Sequence, residues 1–145
     1  MKLSEHFHMP PVGAAMTPFP HTIAADAPIS DLAKRMEDGD FRHLPVVQGG
    51  ALVGIVSIHD VDRMTHPDGD TEAWVTSAAQ VMTPDPYVVS PSEGLATALR
   101  EMEERRIGTT LVAKEGKLVG ILTLSDVCRA FADVLEDRFG AESVA

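Results

Sequence analysis

The sequence is written twice. Met16-Thr17-Pro18 through Gly54-Ile55-Val56-Ser57-Ile58-His59-Asp60-Val61 aligns without a gap onto Met82-Thr83-Pro84 through Gly120-Ile121-Leu122-Thr123-Leu124-Ser125-Asp126-Val127. The offset is 66 residues, and 14 of the 46 paired positions are identical. A gapless duplication this long means one supersecondary unit used twice, so matching side chains recur at equivalent places. The two copies take up nearly all of the 145 residues. Neither copy, at about 60 residues, can bury a large core alone, so the two are expected to pack sheet against sheet about a pseudo-twofold axis.

Hydrophobic spacing gives the content of each copy. Ile29, Leu32, Ala33 and Met36 fall at i, i+3, i+4 and i+7, and Leu95, Ala98, Leu99 and Met102 repeat that helical stripe. Leu44 to Val47 and Leu52 to Val56 flank Gly49-Gly50, while Thr110 to Ala113 and Leu118 to Leu122 flank Glu115-Gly116; both read as hairpins. A short helix from about Asp60 to Met64 closes the first copy. A longer one, with Val127, Phe131, Val134, Leu135 and Phe139 on one face, closes the second. The expected fold class is therefore α+β, two βαββα repeats. Residues 1–11 read as a loosely packed lead-in ending at Pro10-Pro11, 12–65 as the first repeat, 66–77 as a linker, 78–138 as the second repeat and 139–145 as a tail. Within the linker, His66 to Thr71 reads as a loop, and Trp74, Val75 and Ala78 resume helical spacing.

Composition narrows the partners. A net charge of −10 argues against a nucleic-acid partner, because backbone phosphates demand clustered Lys and Arg. No apolar run approaches the length of a membrane span and no secretory pattern opens the chain, so a cytoplasmic protein without a membrane partner is expected. The single cysteine, Cys128, sits on the apolar side of a helical pattern and reads as a buried thiol. No nucleophile, base and orienter occur together, so the chain is not expected to be an enzyme.

Met-Thr-Pro at the head of each copy, Arg42-His43-Leu44-Pro45-Val46-Val47, and the doubled Gly-apolar-x-Ser/Thr-x-x-Asp endings resemble the cystathionine β-synthase (CBS) domain. That domain occurs as tandem pairs called Bateman modules, and the likeness covers about residues 12–138. It implies a stand-alone, non-catalytic regulatory module. Such a module takes an adenosyl ligand, with AMP, ADP, ATP or S-adenosylmethionine as candidates and no required cofactor or metal, in the cleft between the repeats. It also implies a flat homodimer and signalling to an effector protein that the sequence does not identify. A ligand-independent interaction or dimerisation module is the rival reading.

The residue types suit such a ligand. Ser57 and Thr123 end a strand where a helix begins, placing hydroxyls beside unpaired N–H groups that favour phosphate. Asp60 and Asp126, three residues on, can accept hydrogen bonds from both hydroxyls of a ribose. By resemblance each cleft is composite. One would combine Thr22, Phe41, Arg42 and His43 with Thr123, Ser125 and Asp126; the other, Val88, Ile107, Gly108 and Thr109 with Ser57, His59 and Asp60. Val88 replaces the hydroxyl of Thr22, and Gly108-Thr109 replaces Arg42-His43, so the sites are unequal. The Asp126 site is favoured for its two threonines, though it is short of cations, and the resemblance implies that His43 serves the phosphate beside Asp60 while its backbone serves the other site.

The same Ser-x-x-Asp and Thr-x-x-Asp patterns also suit plain helix caps, which contribute about 1 kcal/mol each. His6 and His8, like His66 with Asp68 and Asp70, lack the further ligands of a metal site. Met16, Met36, Met82 and Met102 recur at matching positions as packing residues.

Overall fold

The duplication extends to individual backbone angles in the computed structural model, which describes residues 3–6, 8–65 and 76–140. Phe19 and Asp85, Asp40 and Arg106, and Gly49 and Glu115 are pairs 66 apart, and all six have positive φ between 49° and 58°. The repeated elements are β1 (Thr17–Pro18) and β5 (Thr83–Pro84), β2 (Ile23–Ala24) and β6 (Val88–Val89), α1 (Ile29–Gly39) and α4 (Leu95–Arg105). They continue with β3 (His43–Gln48) and β7 (Thr109–Lys114), β4 (Ala51–Ser57) and β8 (Lys117–Thr123), α2 (Ile58–Thr65) and α5 (Leu124–Phe139). Between the copies lies a single turn of helix, α3 (Ala78–Val81), whose Ser77 backbone N–H donates to Gln80 Oε1 at 2.7 Å. The molecule is α+β with two four-stranded sheets.

Each sheet draws its outer strand from the other copy. The sheet order β2-β3-β4-β5 belongs to a compact unit of Pro20–Pro86, and β1-β8-β7-β6 to a unit joining Met1–Phe19 with Tyr87–Ala145. The cause is a close approach. A Cβ on Gly54 would stand 2.4 Å from Met82 Sδ and 2.8 Å from the Thr83 carbonyl; one on Gly120 would stand 2.3 Å from Met16 Sδ and 3.1 Å from the Thr17 carbonyl. Each motif glycine is the floor on which a Met-Thr-Pro segment lies, where no side chain fits. The central ladders keep one register: His43 faces Ser57 as Thr109 faces Thr123, with a bulge at Val46/Val47 and at Val112/Ala113.

In the Pro20–Pro86 unit, Ile29, Leu32 and Met36 of α1 are buried on Leu44, Val46 and Val56 of the sheet, with Val61 and Ala78 closing the ends. In the other unit, Leu95, Ala98 and Met102 of α4 meet Val12, Val89, Val112 and Leu122.

Two sequence expectations need correction. The lead-in is not loosely held: the Val12 N–H donates to the Glu93 carbonyl and the Leu95 N–H to the Pro10 carbonyl, both at 2.8 Å, and the adjoining Val12 is fully buried. Cys128 is exposed, because the inward side of α5 is set by buried Asp126 and half-buried Val127, two residues and one residue earlier. The apolar face shared by Phe131, Leu135 and Phe139 of α5 is uncovered. The expected loop at His66 to Thr71, with Trp74 and Val75, lies outside the described residues. Among the described residues no helix is long and apolar enough to cross a membrane.

Candidate functional site

Both strand-to-helix junctions form the reciprocal cap that their sequences allow. At the first, Asp60 Oδ2 accepts from the Ser57 N–H and Ser57 Oγ, each at 2.9 Å, while the Asp60 N–H donates back to Ser57 Oγ at 3.3 Å. Arg63 Nη2 donates to the remaining oxygen, Oδ1, at 2.5 Å. At the second, Asp126 Oδ2 accepts from the Thr123 N–H at 2.8 Å and Thr123 Oγ1 at 3.1 Å. Its Oδ1 accepts from Thr17 Oγ1 at 2.7 Å and Arg129 Nη1 at 3.2 Å. Asp126 is only 3% exposed.

Around the first junction the Pro20–Pro86 unit gathers cationic and titratable groups. His43 stands opposite Ser57 in the β3–β4 ladder, and the Ile58 N–H donates to the Arg42 carbonyl at 2.8 Å, so β3 begins beside the start of α2. His43 is half-buried. Burial holds its imidazole below the usual histidine value; Arg42 and, more weakly, His59 push the same way, and Asp60 opposes them. The ring is therefore neutral at pH 7, within reach of a carboxylate and two cationic or titratable neighbours. Arg42 and His59 are exposed. Phe41 tilts against His21 with ring centroids 4.5 Å apart and lies over Gly39, where a Cβ would meet its ring. Thr22 is half-buried, its carbonyl held by Arg35 Nη1 at 2.9 Å.

The second unit places Gly108 and Thr109 at the matching positions, the Leu124 N–H donating to the Gly108 carbonyl at 3.0 Å. Its character is apolar. An open groove of about 370 Å³ runs past Leu99, Met102, Ile107, Gly108, Leu124 and Val127, with Glu103 and Arg106 at its edge. Ser125 and Val88 are exposed, and the Thr109 hydroxyl is buried without a hydrogen-bond partner among the described residues.

Within single units the structure therefore groups Arg42, His43, Ser57, His59 and Asp60 at one junction, and Ile107, Gly108, Thr109, Thr123 and Asp126 at the other. Sequence reasoning missed Thr17, Arg63 and Arg129. The two arginines were findable, since Asp-x-x-Arg recurs in both copies. Thr17 was not, because nothing local ties it to a residue 109 positions away. Among the described residues no three metal-ligating side chains cluster.

Comparison with known proteins agrees with this architecture. The CBS domain family matches at residues 12–65 and 78–133. The chain is 32% identical to a Vibrio cholerae protein named for acetoin utilization (AcuB); its crystal structure gives a TM-score of 0.79 over 95% of this chain and 100% of that one. It is 29% identical to CBSX2, solved in complex with AMP, with a TM-score of 0.75 over 86% of this chain and 98% of that one. Homoserine O-acetyltransferase of Methanococcoides burtonii is 32% identical over 81% of this chain, but the chain spans only 23% of that protein's length. It likewise spans 24% and 38% of two further curated relatives. With both copies of the repeat matched in full register, the chain belongs to the CBS domain family as a tandem pair.

Proposed function

We propose that this CBS pair is a regulatory module that binds an adenosyl nucleotide of the AMP, ADP, ATP or S-adenosylmethionine class and signals its occupancy to an effector protein. The observation that carries the reading is the junction at Ser57 and Asp60. There a helix N-terminus, a half-buried histidine, Arg42, His59 and a carboxylate meet at one strand end. Phosphate is drawn by the N–H groups and cations, ribose by the carboxylate. In the Pro20–Pro86 unit Phe41 and Thr22 offer surfaces for a base, as Ile107 to Thr109 and Val88 do in the other unit. Thr123, Ser125 and Asp126 form the second ribose-phosphate half-site. That CBSX2, nearly a third identical, was crystallised with AMP supports the ligand class.

Titration calorimetry with each of the four nucleotides is the test. A ligand at 100 times its Kd stabilises by about 2.7 kcal/mol, which a melting curve resolves. The absence of both heat and a rise in Tm at millimolar ligand would sink the proposal. The uncovered apolar face of α5 favours a second role, self-association or docking of a partner without ligand. A partner that is retained equally with and without ATP would make that role the primary one.

A further inference from the structure

The two acidic side chains that define the half-sites are not equally free to receive a ligand. A carboxylate offers about four acceptor positions. Asp126 has all four engaged, two by Thr123 and one each by Thr17 Oγ1 and Arg129. Asp60 has three engaged, two by Ser57 and one by Arg63. Arg63 and Arg129 are equivalent, 66 positions apart, and both are mostly solvent-exposed, so each can swing away at little cost. The difference lies with Thr17. Its counterpart Thr83 gives Asp60 no hydrogen bond among the described residues, although Thr83 and Thr17 lie opposite Ile55 and Ile121 in the same register.

We propose that the Thr17 hydroxyl is a latch on Asp126, holding the acceptor that a ribose diol would take, so that the Asp60 half-site fills first and the Asp126 half-site fills only when Thr17 lets go. This rests on the adenosyl-binding reading above. The latch suits its place. Thr17 is exposed, in a two-residue strand paired only to Ile121 and Gly120, so the bond can break without disturbing the core. Release would also loosen β1 from α5, linking occupancy at Asp126 to the segment that leads into the first repeat.

The experiment is calorimetry of the whole chain with AMP and, separately, S-adenosylmethionine. It compares the natural protein with Thr17→Val, Thr17→Ser, Thr83→Val and Asp60→Asn, after circular dichroism and melting show each variant folded. The latch predicts a tight first event lost in Asp60→Asn, and a second event tightened by about tenfold or more in Thr17→Val, the worth of one hydrogen bond to a charged group. Thr17→Ser and Thr83→Val should bind like the natural protein. A natural protein that is silent while Thr17→Val binds would overturn the claim that the Asp60 half-site fills first. Binding by the natural protein that Thr17→Val leaves unchanged, or a first event that survives Asp60→Asn, overturns the latch alone. Silence of both the natural protein and Thr17→Val with either ligand overturns the nucleotide reading, and the latch with it.

Discussion

Two polar side chains are buried among the described residues, Asp126 and Thr110, and their surroundings treat them in opposite ways. Asp126 is surrounded by donors. Thr110 stands where the other copy has Leu44, facing Leu122 across the ladder, and its hydroxyl has no partner among the described residues. An unpaired buried hydroxyl costs about 1–3 kcal/mol. Thr110→Val, which keeps the shape and removes the hydroxyl, should therefore stabilise the protein by about 1 kcal/mol in urea denaturation; a lower midpoint would mean that the hydroxyl is bonded in solution. His43 gives a prediction of pH dependence. Its folded value is depressed below the ordinary 6.5, so at mildly acidic pH the unfolded chain binds the proton more readily. Its contribution is complete above that ordinary value and is lost as pH falls through the folded one. The loss of stability between pH 7.5 and 5.5 should be smaller in His43→Gln than in the natural protein. An equal loss in both would place the linkage elsewhere.

At the scale of elements, the Met-Thr-Pro segments and the motif glycines are one device used twice. Gly54→Ala would push a Cβ into the Thr83 carbonyl, a backbone atom that cannot swing aside as Met82 can. A cost of about 2–3 kcal/mol is expected, the upper range for overpacking, with a smaller one for Gly120→Ala, where the carbonyl is 3.1 Å away. Chemical denaturation checks both, and equal or negligible losses would refute the close approach as the reason for glycine. The duplication made these elements legible: stripes, hairpins and closing helices fall where periodicity puts them, because most of their side chains are buried by their own copy's strands and helices. The exchange of β1 and β5 was not legible, since a two-residue strand carries no period and its partner lies a whole repeat away. The same reason hid Thr17 from any reading of the Asp126 half-site. Cys128 was misread because periodicity reports which residues recur along a helix, not which of them are covered. The caps were legible as caps, and the structure gives that role to both acidic residues alongside the binding proposed for them.

The whole chain carries a net charge of −10, which makes copies repel at long range, and it leaves one apolar stripe in the open. Phe131 and Phe139 are each 62% exposed and Leu135 is 41% exposed, at four-residue spacing on one side of α5. Beside them a groove of about 200 Å³ is lined by Leu3, Leu95, Leu99, Val127 and Val134 among others, almost wholly apolar. These two features pull in opposite directions, and salt decides between them. Screening shortens the repulsion to about 8 Å at physiological ionic strength and leaves apolar contact intact. If two copies of the chain meet through this face, as the family resemblance leads one to expect, association should strengthen as salt is raised. Light scattering should then give a dimer mass in 0.5 M sodium chloride, and Phe131→Asp with Phe139→Asp should return the monomer mass without changing the circular dichroism spectrum. A natural protein that stays monomeric at high concentration and high salt would refute self-association through this stripe.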